Sequence, residues 1–251
     1  MFGILLVVGG LFLLAVGAVK IRPAYHVYRG EIQDVLEVER FDGPVELEGT
    51  ATELEDTIVA PLSGTPCLAS EYEVEEYQSS GNSSSWNTVD SGSAAVSFRL
   101  EDETASVRVD PAGCRLALST DRTIEVGGGE SEPAAIREFL ESTSDLESEN
   151  SSLDLGLVEI ATGNDRRYHE RRLDVGGDAY VLGRSRYDVG ARETMRDISA
   201  VVEDGEETPA FVVSDSPPEV AVWLLAKPAL WWLIGGVLAL FVGVQFAVAG
   251  I

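Results

Sequence analysis

Hydrophobic positions follow two rules along this chain. At the ends they run without interruption, and between the ends they alternate with polar ones. Phe2 to Val19 (FGILLVVGGLFLLAVGAV) is 18 residues without a charge. Ala229 to Ile251 (ALWWLIGGVLALFVGVQFAVAGI) is 23 residues with Gln245 as the one strongly polar side chain. As helices these runs are about 27 and 34 Å long, against a bilayer core of about 30 Å. The pattern predicts transmembrane helices over 2–19 and 229–251. Lys20 and Arg22 can snorkel to the headgroups after the first run, and Trp223, Trp231 and Trp232 sit where interfacial aromatics belong. Residues 220–228 read as a juxtamembrane segment along the surface, ending in Lys227 and Pro228. A secretory leader is the alternative for the first run. It calls for a basic segment before the apolar stretch, and Val16-Gly17-Ala18 is only a loose cleavage match.

In the second run Gly235, Ala239, Gly243 and Ala247 recur at spacing four. A stripe of small residues lets another helix approach: the first span, a second copy or another membrane protein. Gly and Ala are also simply frequent in membrane helices.

Between the runs, residues 28–215 alternate. Val45-Glu46-Leu47-Glu48, Tyr72-Glu73-Val74, Val96-Ser97-Phe98-Arg99-Leu100 and Val107-Arg108-Val109 each place apolar side chains on one face. Further strands are expected at 115–118, 124–126, 157–160, 168–175, 180–183 and 210–213. Turns are expected at Asp42-Gly43-Pro44, Asp110-Pro111-Ala112-Gly113, Gly127-Gly128-Gly129 and Gly176-Gly177-Asp178. Pro133 opens a short helix with Ile136, Phe139 and Leu140 on one side, and 31–39 reads as partly helical. The Ser-rich stretches 78–93 and 142–152 read as mobile loops. The fold class expected is one mainly β domain, a small barrel or sandwich with one or two short helices, between two transmembrane helices. The strand–glycine turn–strand run from Arg172 to Gly183 is of a kind common in OB-like barrels.

Charge sharpens this picture. All 18 basic and 43 acidic residues lie between Lys20 and Lys227, and these two are the chain's lysines. A formal charge of −25 excludes an ordinary nucleic-acid binder. The acidity resembles that of haloarchaeal proteins, in which surface carboxylates maintain solvation in concentrated salt; a basic partner is the alternative. Among so many carboxylates, pairs arise by chance and mark no site.

The usual catalytic constellations are missing. Gly127-Gly128-Gly129 is followed by Glu130, which repels phosphate, and no Gly-x-Ser-x-Gly elbow occurs. The lysines at the membrane leave no Ser–Lys pair in the domain. His26 and His169 are the only imidazoles; His169 lies in an alternating strand with Arg166, Arg167, Arg171 and Arg172. Those arginines could hold phosphate or a lipid headgroup, or pair with neighbouring carboxylates. Cys67 and Cys114 lack the close spacing of zinc ligands and read as buried thiols or, outside the cell, a disulfide. No catalytic residue, metal or cofactor is assigned.

A series of short motifs, in order, carries a resemblance. It begins with Pro61-Leu62-Ser63-Gly64-x-Pro66-Cys67, Tyr72 and Trp86. It continues with Phe98-x-Leu100-x-Asp102-x-Thr104 and Val107-x-Val109-Asp110-Pro111. It ends with Tyr168-x-Glu170 and Asp178-x-Tyr180-Val181-x-Gly183. Over roughly 28–186 this resembles the GIDE, or beside-a-membrane, domain of mitochondrial membrane-anchored RING ubiquitin ligases and their prokaryotic relatives. The helix–domain–helix order fits as well. The resemblance implies a membrane-flanked domain. The ligases' RING holds two zinc ions on about eight Cys and His, and this chain has four in all. The function expected is therefore a membrane-anchored binding or scaffold protein, with the bilayer and a membrane protein partner as its contacts. The alternatives are ubiquitin-ligase-like transfer with a separate zinc-binding partner, and a His169-dependent hydrolase. The cell membrane is the expected location, and the facing side stays open. Lys20, Arg22, Arg29 and Lys227 point to the cytoplasm, and the family to the far side. The sequons at Asn82 and Asn150 matter only outside.

Overall fold

A computed structural model of the protein describes residues 2–80, 83–130, 132–142, 164–206, 208 and 210–248. The expected strand 157–160, most of the loop 142–152, and Asn82 and Asn150 lie outside the described residues. The chain divides into two compact units. One comprises Met1–Thr50, Leu100–Ala117 and Asp178–Ile251; the other comprises Ala51–Arg99 and Leu118–Gly177.

The first unit holds both apolar runs, as helices α1 (Phe2–Arg29) and α3 (Pro218–Val248). Each is long and apolar enough to cross a membrane. Their flanks leave Ile4, Phe12, Val237, Phe241 and Val248 more than half exposed. Both helices outrun the uncharged stretches. At 28 and 31 residues they are about 42 and 46 Å long. Residues 220–228, expected as a separate surface segment, form the start of α3 itself, with Pro23 and Pro228 inside the helices.

The two helices pack antiparallel, backbone against backbone. A Cβ on Gly10 would stand 2.9 Å from the Gly236 carbonyl oxygen, and one on Gly243 2.8 Å from the Val7 nitrogen. The seam is a repeat of seven: Gly3, Gly10, Gly17 and Ala24 on α1, and Ala229, Gly236 and Gly243 on α3, all buried. Repeats of seven keep one stripe in register when two helices wrap left-handed, and small residues let the axes come close. Of the stripe expected at spacing four, Gly243 is in this seam. Gly235 and Ala239 are half-buried, and the Ala247 side chain lies outside the described residues.

The same unit holds most of a closed barrel, all but residues 51–53 of β1 and 98–99 of β6. Strands β1 (Gly43–Glu53), β6 (Phe98–Glu101), β7 (Ser106–Val109), β12 (Asp197–Glu203) and β11 (Asp178–Tyr187) are neighbours in that order, and β1 pairs antiparallel with β11 to close the ring. Strand β12 runs parallel to β7 and antiparallel to β11. Strands β13 (Val212–Ser214) and β8 (Arg115–Ala117) extend the sheet from β11. Alternation puts Val181 on one face of β11 and Tyr180 and Leu182 on the other, and all three are buried. Tyr180 and Leu182 join Ala24, Val27, Ala117, Val212, Ala221 and Leu225 in one cluster, so the outer ends of α1 and α3 share a core with the strands. The helical stretch expected at 31–39 is a 3₁₀ turn, Val35–Arg40, which buries Val35 and Val38.

The second unit is a four-stranded sheet in the order β5 (Ser83–Ala95), β4 (Ala69–Ser80), β10 (Arg166–Leu173), β9 (Thr120–Val126). It also contains helix α2 (Ala134–Ser142) and the pair β2 (Ile58–Val59) and β3 (Pro66–Cys67). One sheet face carries Val74, Tyr168 and Val126, which cluster with Leu62 and with Ile136 of α2.

Two further expectations change, and one strand was not foreseen. The stretch 78–93, expected as a loop, is strand over 78–80 and 83–93, with β5 paired along β4 from Ala95 to Ser83. Serine and asparagine mislead here because β5 is an edge strand held by its ladder rather than by burial. The run Arg172–Gly183 is not a hairpin: β10 and β11 belong to different sheets. The strand 197–203 (DISAVVE) is buried almost throughout, so it has no alternation to reveal it.

Candidate functional site

Most motif positions have identifiable structural work. Glu170 is fully buried in the second unit and accepts hydrogen bonds from the backbone N–H groups of Leu62 (2.8 Å) and Ser63 (3.0 Å). Arg172 pairs with it at 3.3 Å, donates to the Ser63 hydroxyl at 3.0 Å, and also meets Asp174. The sequence-distant elements Pro61-Leu62-Ser63-Gly64 and Tyr168-x-Glu170 are thus one feature: a turn fixed by a buried carboxylate. Gly64 takes φ +69° in that turn, a conformation that L side chains rarely adopt. Pro66 and Cys67 follow in β3, with Cys67 buried. Tyr72 meets Phe139 edge to face at 4.8 Å. Trp86 lies under the Arg167 guanidinium at 3.9 Å and beside Tyr77. Phe98 is fully buried.

In the first unit Asp102 accepts from the backbone of Val35 (2.8 Å), Thr104 (2.7 Å) and Ala105 (2.8 Å). Burial works against its charge, but the Thr104 hydroxyl and these amides prevail and hold its carboxyl below the ordinary range. Asp110 and Pro111 make a turn, with Ala112 donating to Asp110 and Cys114 to the Pro111 carbonyl. Gly183 faces Val202 and Phe211 too closely for any side chain. Cys67 and Cys114 both remain thiols.

Two places hold groups in chemically suggestive arrangements. The second unit's other sheet face is a lattice of charge. Arg171 pairs with Glu73 at 3.0 Å, and Arg167 with Glu125 at 2.7 Å. His169 stands between them, its Nδ1 3.0 Å from the Thr123 hydroxyl and its Nε2 3.1 Å from Glu75. Burial opposes ionisation of Glu73, but hydrogen bonds from Arg171 and Thr88 and the charges of Arg171 and His169 hold its carboxyl below the ordinary range. A hydroxyl, an imidazole and a carboxylate in line are the parts of an activated nucleophile. They stand side by side on three adjacent strands, and the backbone of central β10 is paired on both sides. Oxyanion donors would have to come from elsewhere. Of the two readings of these arginines, the structure shows the pairing with neighbouring carboxylates, Arg166 with Glu76 among them.

The first unit has a cleft of about 670 Å³ at the barrel, lined by Glu48, Glu101, Asp102, Glu103, Asp178 and Arg196 among others. Burial pushes the Glu48 carboxyl up, and the charges of Glu219 and Asp178 add to it. The cleft suits a cationic group. Among the described residues no three His, Cys, Asp or Glu side chains converge as a metal site requires. The chain matches no family model, no curated protein and no solved structure. The cleft lay hidden in the sequence because its carboxylates come from strands and turns far apart in the chain.

Proposed function

We propose that the protein is a two-pass membrane protein of the GIDE type that presents its barrel as a binding surface for a partner. The observation that carries this reading is the shared core of Tyr180, Leu182, Val212, Ala24 and Leu225. A barrel joined to the helix pair by packed side chains, and not by a linker, is held at a fixed position with respect to its helices. That rigidity suits a scaffold. The acidity of the barrel cleft favours a partner segment rich in Lys or Arg, and the low lysine content and excess acid fit a haloarchaeal setting. Cross-linking in native membranes followed by purification tests it. One partner at constant stoichiometry, lost in a Glu48→Gln, Asp178→Asn double variant, is expected. The chain recovered alone would refute the scaffold reading.

The placement of Thr123 and Glu75 about His169 favours a second reading, a hydrolase. A fluorophosphonate probe should then label wild type and not Thr123→Ala. Equal labelling of both, or of neither, would dismiss it.

A further inference from the structure

A small cavity lies where α1 ends. It measures about 240 Å³, the volume of about eight liquid waters, and is lined by His26, Arg29, Gly30, Glu31 and Glu46 among others. Glu46 is its unusual member, a carboxylate only 7% exposed. Oε2 accepts from the Tyr180 hydroxyl at 3.0 Å. Oε1 lies against Gly30, where any Cβ would collide with it, and has no hydrogen-bond partner among the described residues. Oε1 opens onto the cavity instead of being sealed from it, so a donor entering the cavity can reach the one Glu46 oxygen that Tyr180 leaves free. Burial pushes this carboxyl up, against the Tyr180 hydrogen bond, so a donor brought to Oε1 relieves a cost already present.

The Arg29 guanidinium and the His26 imidazole at the mouth complement that acceptor. Arg29 is exposed and His26 half-buried; both meet the Tyr25 ring, Arg29 over its face at 5.8 Å and His26 edge-on at 5.7 Å, and neither is paired with a described carboxylate. The six arginines of β10 and β11, by contrast, are all paired. Glu31 on the rim is a second carboxylate, so the cavity is not a plain anion site. It offers positive charge on one side and an acceptor on the other.

Its level along α1 points to the occupant. His26 and Arg29 are seven and ten residues beyond Val19, about 10 and 15 Å of helix rise. Tyr25 and Tyr28 on α1 and Trp223 on α3 are 54%, 76% and 58% exposed around this level. Exposed Tyr and Trp beside an apolar span mark headgroup depth. We infer that the cavity binds the headgroup of a phosphodiester lipid bearing an O–H or N–H donor, with Arg29 and His26 on the phosphate and Glu46 Oε1 accepting from the donor. The inference rests on α1 and α3 being membrane spans.

The test uses the full chain in nanodiscs made from equal parts of phosphatidylglycerol, phosphatidylethanolamine and phosphatidylcholine, with retained lipid read by native mass spectrometry. Choline has no donor. At least a tenfold enrichment of the glycerol or ethanolamine lipid over the choline lipid is expected. Glu46→Gln should abolish that preference, since its amide can place N–H where the acceptor was. Arg29→Ala should reduce retention of all three. Circular dichroism checks the fold of each variant. Millimolar glycerol 3-phosphate or phosphoethanolamine separates the sources: loss of bound lipid would assign the site to a soluble phosphate ester, which overturns the lipid identity. Equal retention of the three lipids by wild type, or preferences unchanged in both variants, overturns the site. Failure to enter nanodiscs at all overturns the membrane reading instead.

Discussion

Replacing Glu170 should loosen the turn at Leu62-Ser63 far more than any surface carboxylate would. The side chain has no exposure and satisfies two backbone N–H groups as well as Arg172. Glu170→Ala strands both amides and leaves the largely buried Arg172 with Asp174 as its carboxylate partner. A buried donor without a partner costs about 1–3 kcal/mol, and breaking a buried ion pair from one side about 3–5 kcal/mol. These costs overlap, so about 3–5 kcal/mol is the working figure. Glu170→Gln keeps a carbonyl acceptor for the amides but loses the charge and the oxygen that accepts from Arg172, for about 1–3 kcal/mol. Amide hydrogen exchange of 60–65 is the direct assay, because about 1.4 kcal/mol is a tenfold change in protection. Glu170→Ala should expose Leu62 and Ser63 by more than a hundredfold, and Glu170→Gln by roughly ten- to a hundredfold, where global opening is not already limiting. Protection unchanged in Glu170→Ala would refute the assignment of this carboxylate as the pin of the turn.

The helix seam gives a paired test. Gly236→Leu should lower the thermal midpoint of the detergent-solubilised protein, by about 1–3 kcal/mol of overpacking. Gly235→Leu should leave it nearly unchanged, because a Cβ there meets only Leu13 at 3.9 Å. For pH, Asp102 has a folded value below its ordinary 3.8. Its contribution is therefore present above 3.8 and lost as pH falls through the folded value, and Asp102→Asn should show a shallower acid loss in a pH series of thermal midpoints. Glu46 has the opposite sign. Its folded value lies above the ordinary 4.5, so its penalty is absent below 4.5 and grows as pH rises to the folded value. Glu46→Gln should gain on wild type across that window. Arg167→Ala removes the cation from the face of Trp86, worth about 0.5–1 kcal/mol, and should speed proteolysis within 83–95.

Residues with a clear period were legible in the sequence, and residues read by other rules were not. The uncharged runs announced α1 and α3, and alternation announced β1, β4, β6 and β7. Strand β12 hid because both its faces are covered, and β5 because an edge strand can be all Ser, Asn and Gly while the ladder holds it. The helix seam was visible as Gly3, Gly10, Gly17 and Ala24, a repeat of seven, but the repeat of four in α3 is more conspicuous. Glu170 could not be told from 42 other acidic residues by type, since its meaning lies in the two amides that the fold brings to it. Glu46 hid for the same reason: period two puts it on the polar face of β1, and the ends of α1 and α3 cover that face.

The account stands or falls on α1 and α3 lying in lipid with their apolar flanks outward. In nanodiscs, where both membrane faces are open to reagent, single cysteines at Val237, Phe241 and Met195 can be compared with Cys67 and Cys114 replaced by alanine. All three positions are exposed, Met195 almost completely. A charged maleimide should modify Met195→Cys within minutes and leave Val237→Cys and Phe241→Cys untouched until detergent is added. Reaction of all three at one rate would put the apolar helices in water and contradict the account.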